Sequence, residues 1–206
     1  MTSLDVLLVE SHPGNGAREA GALERAGHHV HRCHEPGATG FPCTEITSPG
    51  SCPIDAGVDV ALLMRRVAPH PTDLEQGVSC ALRAGVPIIE DGPTILDPFE
   101  PYLTGRVTGD VVAACEEATD SGWSPLRQAI LDRTGGVLAG AGIDRDDVAV
   151  SFHREGTNLR IDLAGPPAAA ATRQALGVRV LDALRSSGRT FGQVDVSYSD
   201  TATEAP

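Results

Sequence analysis

The sequence predicts an α/β protein in which a parallel doubly wound sheet is followed by a small α+β domain. Three short apolar runs in the first half do not alternate with polar residues: DVLLVE, VDVALLM and VPIIE. Runs of this kind are typical of strands that are buried on both faces of a parallel sheet. Helical segments separate them, as in βαβ units. In the second half, apolar and polar residues alternate, which is typical of a sheet with one covered face.

In chain order, the first half is predicted as strand, helix, strand, long loop, strand, helix, strand and helix. Gly27 and Gly85 each follow a helical segment and are typical helix stops. The βαβ order predicts right-handed crossovers and helices on both faces of the sheet. The predicted strands and helices are Asp5–Glu10, Ala17–Ala26, His29–Cys33, Val58–Met64, Asp73–Ala84, Val86–Glu90 and Gly109–Thr119.

A polar break at Asp120–Ser124 predicts a boundary between domains 1–120 and 121–206. The second domain is predicted as α-β-β-α-β, an antiparallel sheet with one helix-covered face. A polar tail follows at residues 201–206. The predicted elements are a helix at Pro125–Leu138, strands at Val148–Phe152 and Leu159–Leu163, a helix from Pro166 to about Arg185, and a strand with Val194, Val196 and Tyr198.

The net charge of −12 limits the class of partner. Non-specific nucleic-acid binding needs a basic surface that replaces phosphate counterions, so we expect no nucleic acid. No apolar stretch approaches the roughly 20 residues that span a bilayer, and we expect no membrane insertion. The N-terminal residues lack the basic leader and apolar run of a secretory signal. We therefore expect a cytoplasmic protein whose cysteines are free, metal-bound or redox-active.

Four of the seven histidines and three of the five cysteines fall within one short segment. Much of it belongs to a predicted loop at 33–57, which is rich in Pro and Gly and poor in large apolar residues. Loops longer than about 15 residues are uncommon in a compact domain unless something organises them, and this one has over twenty. The seven residues are His28, His29, His31, Cys33, His34, Cys43 and Cys52.

These side chains gather at one edge of the predicted sheet. His12 follows the first strand, Cys33 and His34 end the second, and Cys43 and Cys52 lie in the loop that leaves it. Ligands of parallel α/β sheets bind at the carboxyl ends of strands. The five residues therefore predict a site for zinc or for an iron–sulfur cluster with three cysteine ligands.

Two other interpretations of the cysteine-rich loop stay open. Cys43 and Cys52 could form a reversible disulfide, or the loop could carry no site at all. Cys80 and Cys115 lie in helical segments and are predicted to be small core residues.

A third class of function would use the strand ends as an enzyme site. Glu90 and Asp91 end the fourth strand and could pair for acid–base chemistry with His12. The turn from His12 to Gly16 could hold an anion at a helix N-terminus, although it lacks the third glycine of a dinucleotide fingerprint.

The phrase VLLVESHPGNGAREAGALERAGHHVHRC resembles the first strand, helix and second strand of the receiver domain of bacterial response regulators. VDVALLM resembles the third strand, VPIIE the fourth, and Asp97-Pro98-Phe99 is similar to the family's Lys-Pro-Phe. The resemblance covers residues 4–115 and implies a flavodoxin-like sheet. The spacing from VPIIE to Asp97 is too short for the helix and strand that the family would place there.

Three positions depart from the receiver pattern. Glu10 is followed by Ser11, where the family has an acidic pair that holds Mg²⁺. Met64 stands at the position of the phosphorylated aspartate, and Asp97 at that of the lysine. Phosphotransfer needs all of these groups to neutralise the oxyanion charge, so we expect a degenerate receiver without phosphoacceptor activity.

The segment 125–200 is similar in layout to the alkaline-shock-protein family, with its hairpin, long helix and closing strand VDVSY. That resemblance implies an assembly module. Together these observations predict a non-catalytic regulatory or scaffold protein with a metal or iron–sulfur site, a protein partner and possible homo-oligomers. The alternatives are a cofactor-free interaction module and a small-molecule enzyme.

Overall fold

The computed structural model describes residues 3–35, 37, 39–40, 43, 52–66, 70–93, 95, 97–189 and 191–200. The predicted polar tail and much of the predicted loop therefore lie outside the described residues. The chain forms two compact units, residues 1–122 and 123–206. The first contains a five-stranded parallel sheet and the second a smaller sheet, which confirms the α/β prediction. In the described part of the chain, no helix combines the length and apolar character needed to cross a membrane.

The sheet of the first unit has the strand order β2-β1-β3-β4-β5, which is that of flavodoxin-like sheets. The last strand was not predicted, because two residues carry no hydrophobic pattern. It follows Asp97 and joins the sheet through hydrogen bonds from Thr104 N and Val107 N to β4 carbonyls. The strands are β1 (Asp5–Glu10), β2 (His29–Arg32), β3 (Val60–Met64), β4 (Ile88–Asp91) and β5 (Gly105–Arg106).

Helices cover both faces of this sheet, as its alternating side chains require. On one face, Leu8 and Leu62 pack with Leu23 of helix α1 (Ala17–Arg25). On the other face, Leu7, Val9 and Leu63 form a cluster with helix α3. The short helix α2 is Pro53–Ala56, and α3 is Gln76–Arg83, which a 3₁₀ turn at Asp73–Glu75 precedes.

Helix α4 runs from Val111 to Gly140, so the predicted break at Asp120–Ser124 is wrong as a helix boundary. The polar residues there stay helical because packing overrides their weak propensity. Gly122 lies against the Pro87 ring, where an added Cβ would be 3.0 Å from Cγ. Trp123 is 8% exposed in the core of the second unit. The division between the two units falls within this helix.

The second unit contains β6 (Ala149–Glu155), β7 (Asn158–Gly165), helix α5 (Ala170–Ser186) and β8 (Val194–Asp200). The hairpin β6–β7 is antiparallel, as predicted, but β7 and β8 pair in parallel. The prediction of an antiparallel sheet is therefore wrong for its last strand. Helix α5 is a crossover that returns the chain to the starting end of β7, so that β8 runs in the same direction.

Candidate metal centre

Four cysteines line one cavity of about 570 Å³ in the first unit: Cys33, Cys43, Cys52 and Cys80. His34 also lines it. The cavity lies on the face of the sheet that carries α3, where Leu7 of β1 and Ile54 of α2 form part of its wall. The structure thus brings together four of the five predicted site residues and adds one thiol.

Cys33 is positioned by strand pairing and by close contact with helix α3. It directly follows β2, and its N–H donates to Leu8 O at 2.9 Å, which continues the pairing with β1. A Cβ on Gly77 would lie 2.5 Å from Cys33 Sγ, so only glycine allows the sulfur to approach the helix this closely. The Gly77 N–H donates to this sulfur and favours its thiolate form.

Cys52 is the residue before helix α2, in an extended conformation that suits a helix start. Pro53 at the first helical position has the fixed φ that begins a helix. Burial raises the pKa of the Cys52 thiol, while backbone hydrogen bonds from Ile54 and Asp55 lower it; the net shift is upward.

Cys80 lies on helix α3, three residues after Gly77 and four before Ala84. These spacings place the three residues on one helical face, which is the face that lines the cavity. Arg83 Nη2 donates to Cys80 Sγ at 3.3 Å. The prediction that Cys80 is a core residue missed its place in the cavity wall.

Cys43 comes from the loop that follows β2. Three residues earlier, Gly40 also lines the cavity, and a Cβ there would lie 2.6 Å from the carbonyl carbon of Asp73. Because only hydrogen fits at that position, the loop backbone can lie directly on the turn that precedes α3. This contact places Gly40 in the wall of the cavity.

The surroundings of Cys33 oppose the ionisation of its thiol. Burial raises the pKa of Cys33 to about 12, and the negative charges of Cys43, Cys80 and Cys52 add to the effect. Cys33 therefore needs a neighbouring cation before it becomes a thiolate. A bound metal supplies that charge, because a coordinating thiol is deprotonated outright.

The surroundings of His34 favour the neutral form that a metal ligand needs. Burial lowers its pKa, which favours the neutral imidazole. Its Nε2 is buried and has no hydrogen-bond partner among the described residues. Within those same residues, no three His, Cys, Asp or Glu side chains lie close enough together to hold a single metal ion.

His12 is the predicted site residue that the structure does not bring to the thiol cavity. It is exposed in the turn between β1 and α1, where its carbonyl accepts a hydrogen bond from Asn15 N. That turn leads to α1, which packs on the other face of the sheet. An anion in this turn would need a free backbone N–H, but the Gly16 N–H already donates to Glu10 Oε1 at 2.6 Å.

The strand-end carboxylates form ion pairs with arginines. Arg65 directly follows β3, is fully buried and donates to Glu75, Glu90 and Asp97 at 2.5–3.1 Å. Arg106 also donates to Glu90 and Asp97. Glu90 therefore lies between two guanidinium groups, which is the environment of a structural carboxylate.

Three further residues named in the sequence analysis lie in the core or in an ion pair. Met64 is fully buried in the apolar cluster that includes α1. Asp91 accepts a hydrogen bond from Arg66 at 3.0 Å. Cys115 on α4 belongs to the same cluster as Met64, and burial, with the charge of Glu116, raises its pKa to about 12. Cys115 is thus a core residue, as predicted.

No known protein family matches this chain, and no curated protein matches it significantly. Among solved structures, this chain is similar to a fusion protein that contains a yeast Spc42 trimeric coiled-coil segment. The TM-score is 0.43, the identity is 15%, and the match covers 68% of this chain and 96% of the fusion protein. A variant of Aquifex aeolicus Era bound to GDP and aluminium fluoride has a TM-score of 0.33 and 10% identity, covering 98% and 95%. At these TM-scores, neither likeness supports an inference about fold or function.

Proposed function

We propose that this is a non-catalytic regulatory or scaffold protein whose first unit holds an iron–sulfur cluster or, as the second choice, a zinc ion. The ligands are Cys33, Cys43, Cys52 and Cys80, with His34 as an alternative to one thiol. The observation that carries the proposal is that four of the five cysteines line one cavity. Four thiolates are the usual ligands of both groups.

The spacing of the ligands favours a cluster over a single ion. The sulfur ligands of zinc lie about 2.3 Å from the metal, which draws all four together. Here the thiols surround a cavity of about 570 Å³, and no three ligand side chains among the described residues are close enough for one ion. The thiolates of a polynuclear cluster bind different metal atoms, so they lie further apart than the ligands of a single ion.

The position of the cavity also supports a structural cofactor. In a flavodoxin-like sheet, the connection between β2 and β3 ordinarily contains a crossover helix. Here this connection contains the cysteine-rich loop and the four-residue helix α2. A metal centre would organise a segment that has few apolar side chains to bury, because metal binding contributes free energy to folding.

The strand-end edge supports a regulatory or scaffold function. The groups of a receiver's phosphorylation site are replaced by Met64 and by the ion pairs of Arg65, which fits a degenerate receiver. Such a domain acts by binding a protein partner, in the cytoplasm, where thiols stay reduced. A degenerate receiver edge is also expected of the cofactor-free interaction module, which is the second candidate.

The test is metal analysis of the full chain purified without oxygen. We expect iron and acid-labile sulfide with a broad visible absorption band, which Cys33→Ala, Cys52→Ala and Cys80→Ala each remove. Cys115→Ala is the matched control and keeps the band, because Cys115 lies on the other face of the sheet. Colourless protein with one zinc would support the second choice of metal.

Three outcomes would count against the metal centre. Protein without iron or zinc would contradict it outright. Unchanged stability and partner binding in the three alanine variants would favour the cofactor-free module. Oxidant-dependent loss of two thiols in metal-free protein, measured by intact mass, would instead favour the reversible disulfide.

A further inference from the structure

A second cavity, of about 370 Å³, lies on the other face of the first unit's sheet. Its wall is formed by α1, by the residues that follow β3 and end β4, and by the start of α4. Helices α1 and α4 contribute to the apolar cluster on the face of the sheet opposite the thiol cavity. Ligands of α/β sheets bind at the carboxyl ends of strands, and this volume lies in the usual range for small-molecule sites. The cavity is therefore in a suitable place for a small ligand and is large enough to hold one.

The charges in the wall favour a cation. Three carboxylates and two guanidinium groups line the cavity, which leaves one net negative charge. Arg66 Nη2 already donates to Glu19 Oε1 at 2.6 Å and to Asp91 Oδ2 at 3.0 Å. The five charged residues are Arg18, Glu19, Arg66, Asp91 and Asp110.

Glu19 supplies an independent sign of a missing donor. It is only 4% exposed, and its Oε2 is buried without a hydrogen-bond partner among the described residues. Leaving a buried acceptor unsatisfied costs roughly 1–3 kcal/mol, and more when the group is charged. Arg18 is exposed, and adjacent positions on a helix do not face each other, so Arg18 is badly placed to supply the donor.

We propose that this cavity binds a small organic molecule through a primary ammonium group. An ammonium has three N–H donors and no acceptor, so it can supply the donor that Glu19 lacks. One of its donors satisfies Glu19 Oε2. Its single positive charge also balances the net charge of the wall.

The test is a titration of the isotope-labelled full chain, followed by amide chemical shifts, with ethanolamine as the probe. We expect saturable shifts at Gly109 and Val111 in the cavity wall. Choline has the same size class and charge but no N–H donor, so we expect binding at least about 10-fold weaker, the loss of one charged hydrogen bond. Glu19→Gln should weaken ethanolamine binding by a similar factor.

Glu24→Gln is the matched control, since Glu24 is an exposed residue of the same helix, outside the cavity wall. Its affinity for ethanolamine should equal that of the unmodified chain. No saturable shift, equal binding of choline and ethanolamine, or equal effects of the two glutamine variants would each overturn the proposal. The choline comparison uses the unmodified chain and stays decisive even where Glu19→Gln impairs folding.

Discussion

Gly77 determines how closely helix α3 approaches the Cys33 sulfur. Any larger residue would place a Cβ 2.5 Å from that sulfur and 3.1 Å from Val9 Cγ2. We predict that Gly77→Ala displaces Cys33, lowers the free energy of unfolding by about 1–3 kcal/mol and removes most of the bound metal. Urea unfolding and metal content per chain are the two measurements.

Gly21→Ala on helix α1 is the control for this substitution. Its added Cβ would meet only the flexible end of Arg25 at 3.3 Å. Replacing a helical glycine by alanine stabilises by up to about 1 kcal/mol, so this variant should keep its metal and gain stability. Equal metal content in the two alanine variants would show that the Gly77 contact does not position Cys33.

The individual residues of the site were only partly predictable. Cys33, His34, Cys43 and Cys52 were predicted to lie together because strand ends and the loop between them meet at one place in a βαβ fold, and all four line one cavity. Cys80 was missed because a thiol inside an amphipathic helix has the pattern of a core residue. Arg65 was missed because nothing local in the sequence pairs it with carboxylates 10, 25 and 32 residues away.

Strand β7 is the central strand of the second sheet, and Asp162 connects it to both neighbours. Ser197 of β8 and Arg160 donate to its carboxylate, and His153 of β6 lies 3.3 Å away. Burial raises the pKa of Asp162, but these hydrogen bonds outweigh burial and hold the pKa below its ordinary value. The ionised carboxylate therefore stabilises this sheet.

We predict that Asp162→Asn lowers the free energy of unfolding by about 1 kcal/mol at pH 7, the loss of charged hydrogen bonds. Because the native pKa lies below that of the unfolded chain, about 3.9, this stabilisation is complete above that pH and disappears as the pH falls through the native pKa. The difference between the variant and the unmodified chain should therefore shrink in acid.

Fluorescence of Trp123, the one tryptophan of the chain, reports unfolding of this unit in urea at pH 7 and pH 3. Asp195→Asn on β8 is the control, since that exposed side chain bonds the nearby Gln193. A difference that stays constant with pH would mean that Asp162 acts through packing alone.

Sequence patterns identified most elements but not every boundary or direction. The strand Asp5–Glu10 was predicted with its observed bounds, since a buried run between polar residues is unambiguous. The continuity of α4 and the direction of β8 were not predictable, because both depend on packing between segments distant in sequence. A two-residue strand such as β5 is likewise determined by its hydrogen bonds to β4.

Because the chain forms two units, we expect the proposed metal centre to stabilise only the unit that contains it. All four thiols and the elements around them belong to residues 1–122. We predict that removing the metal with a chelator increases amide hydrogen exchange around β2, α2 and α3, because metal binding contributes to folding free energy. The amides of β6, β7 and β8 should keep their protection.

Exchange measured by mass spectrometry before and after chelation decides this prediction. The Cys115→Ala chain provides the control and should respond as the unmodified chain does. Equal deprotection of both units would contradict a local effect, and no change in either would mean that the metal leaves the fold of the first unit unaltered.

The buried Arg65 has one more consequence, for how this protein responds to its surroundings. A guanidinium is a counterion attached to the chain by covalent bonds, whereas a magnesium ion must be captured from solution. The Arg65 guanidinium is therefore present beside Glu75, Glu90 and Asp97 in every folded molecule. It also stays protonated at all physiological pH values. This edge of the sheet keeps a constant charge whether divalent cations are abundant or scarce.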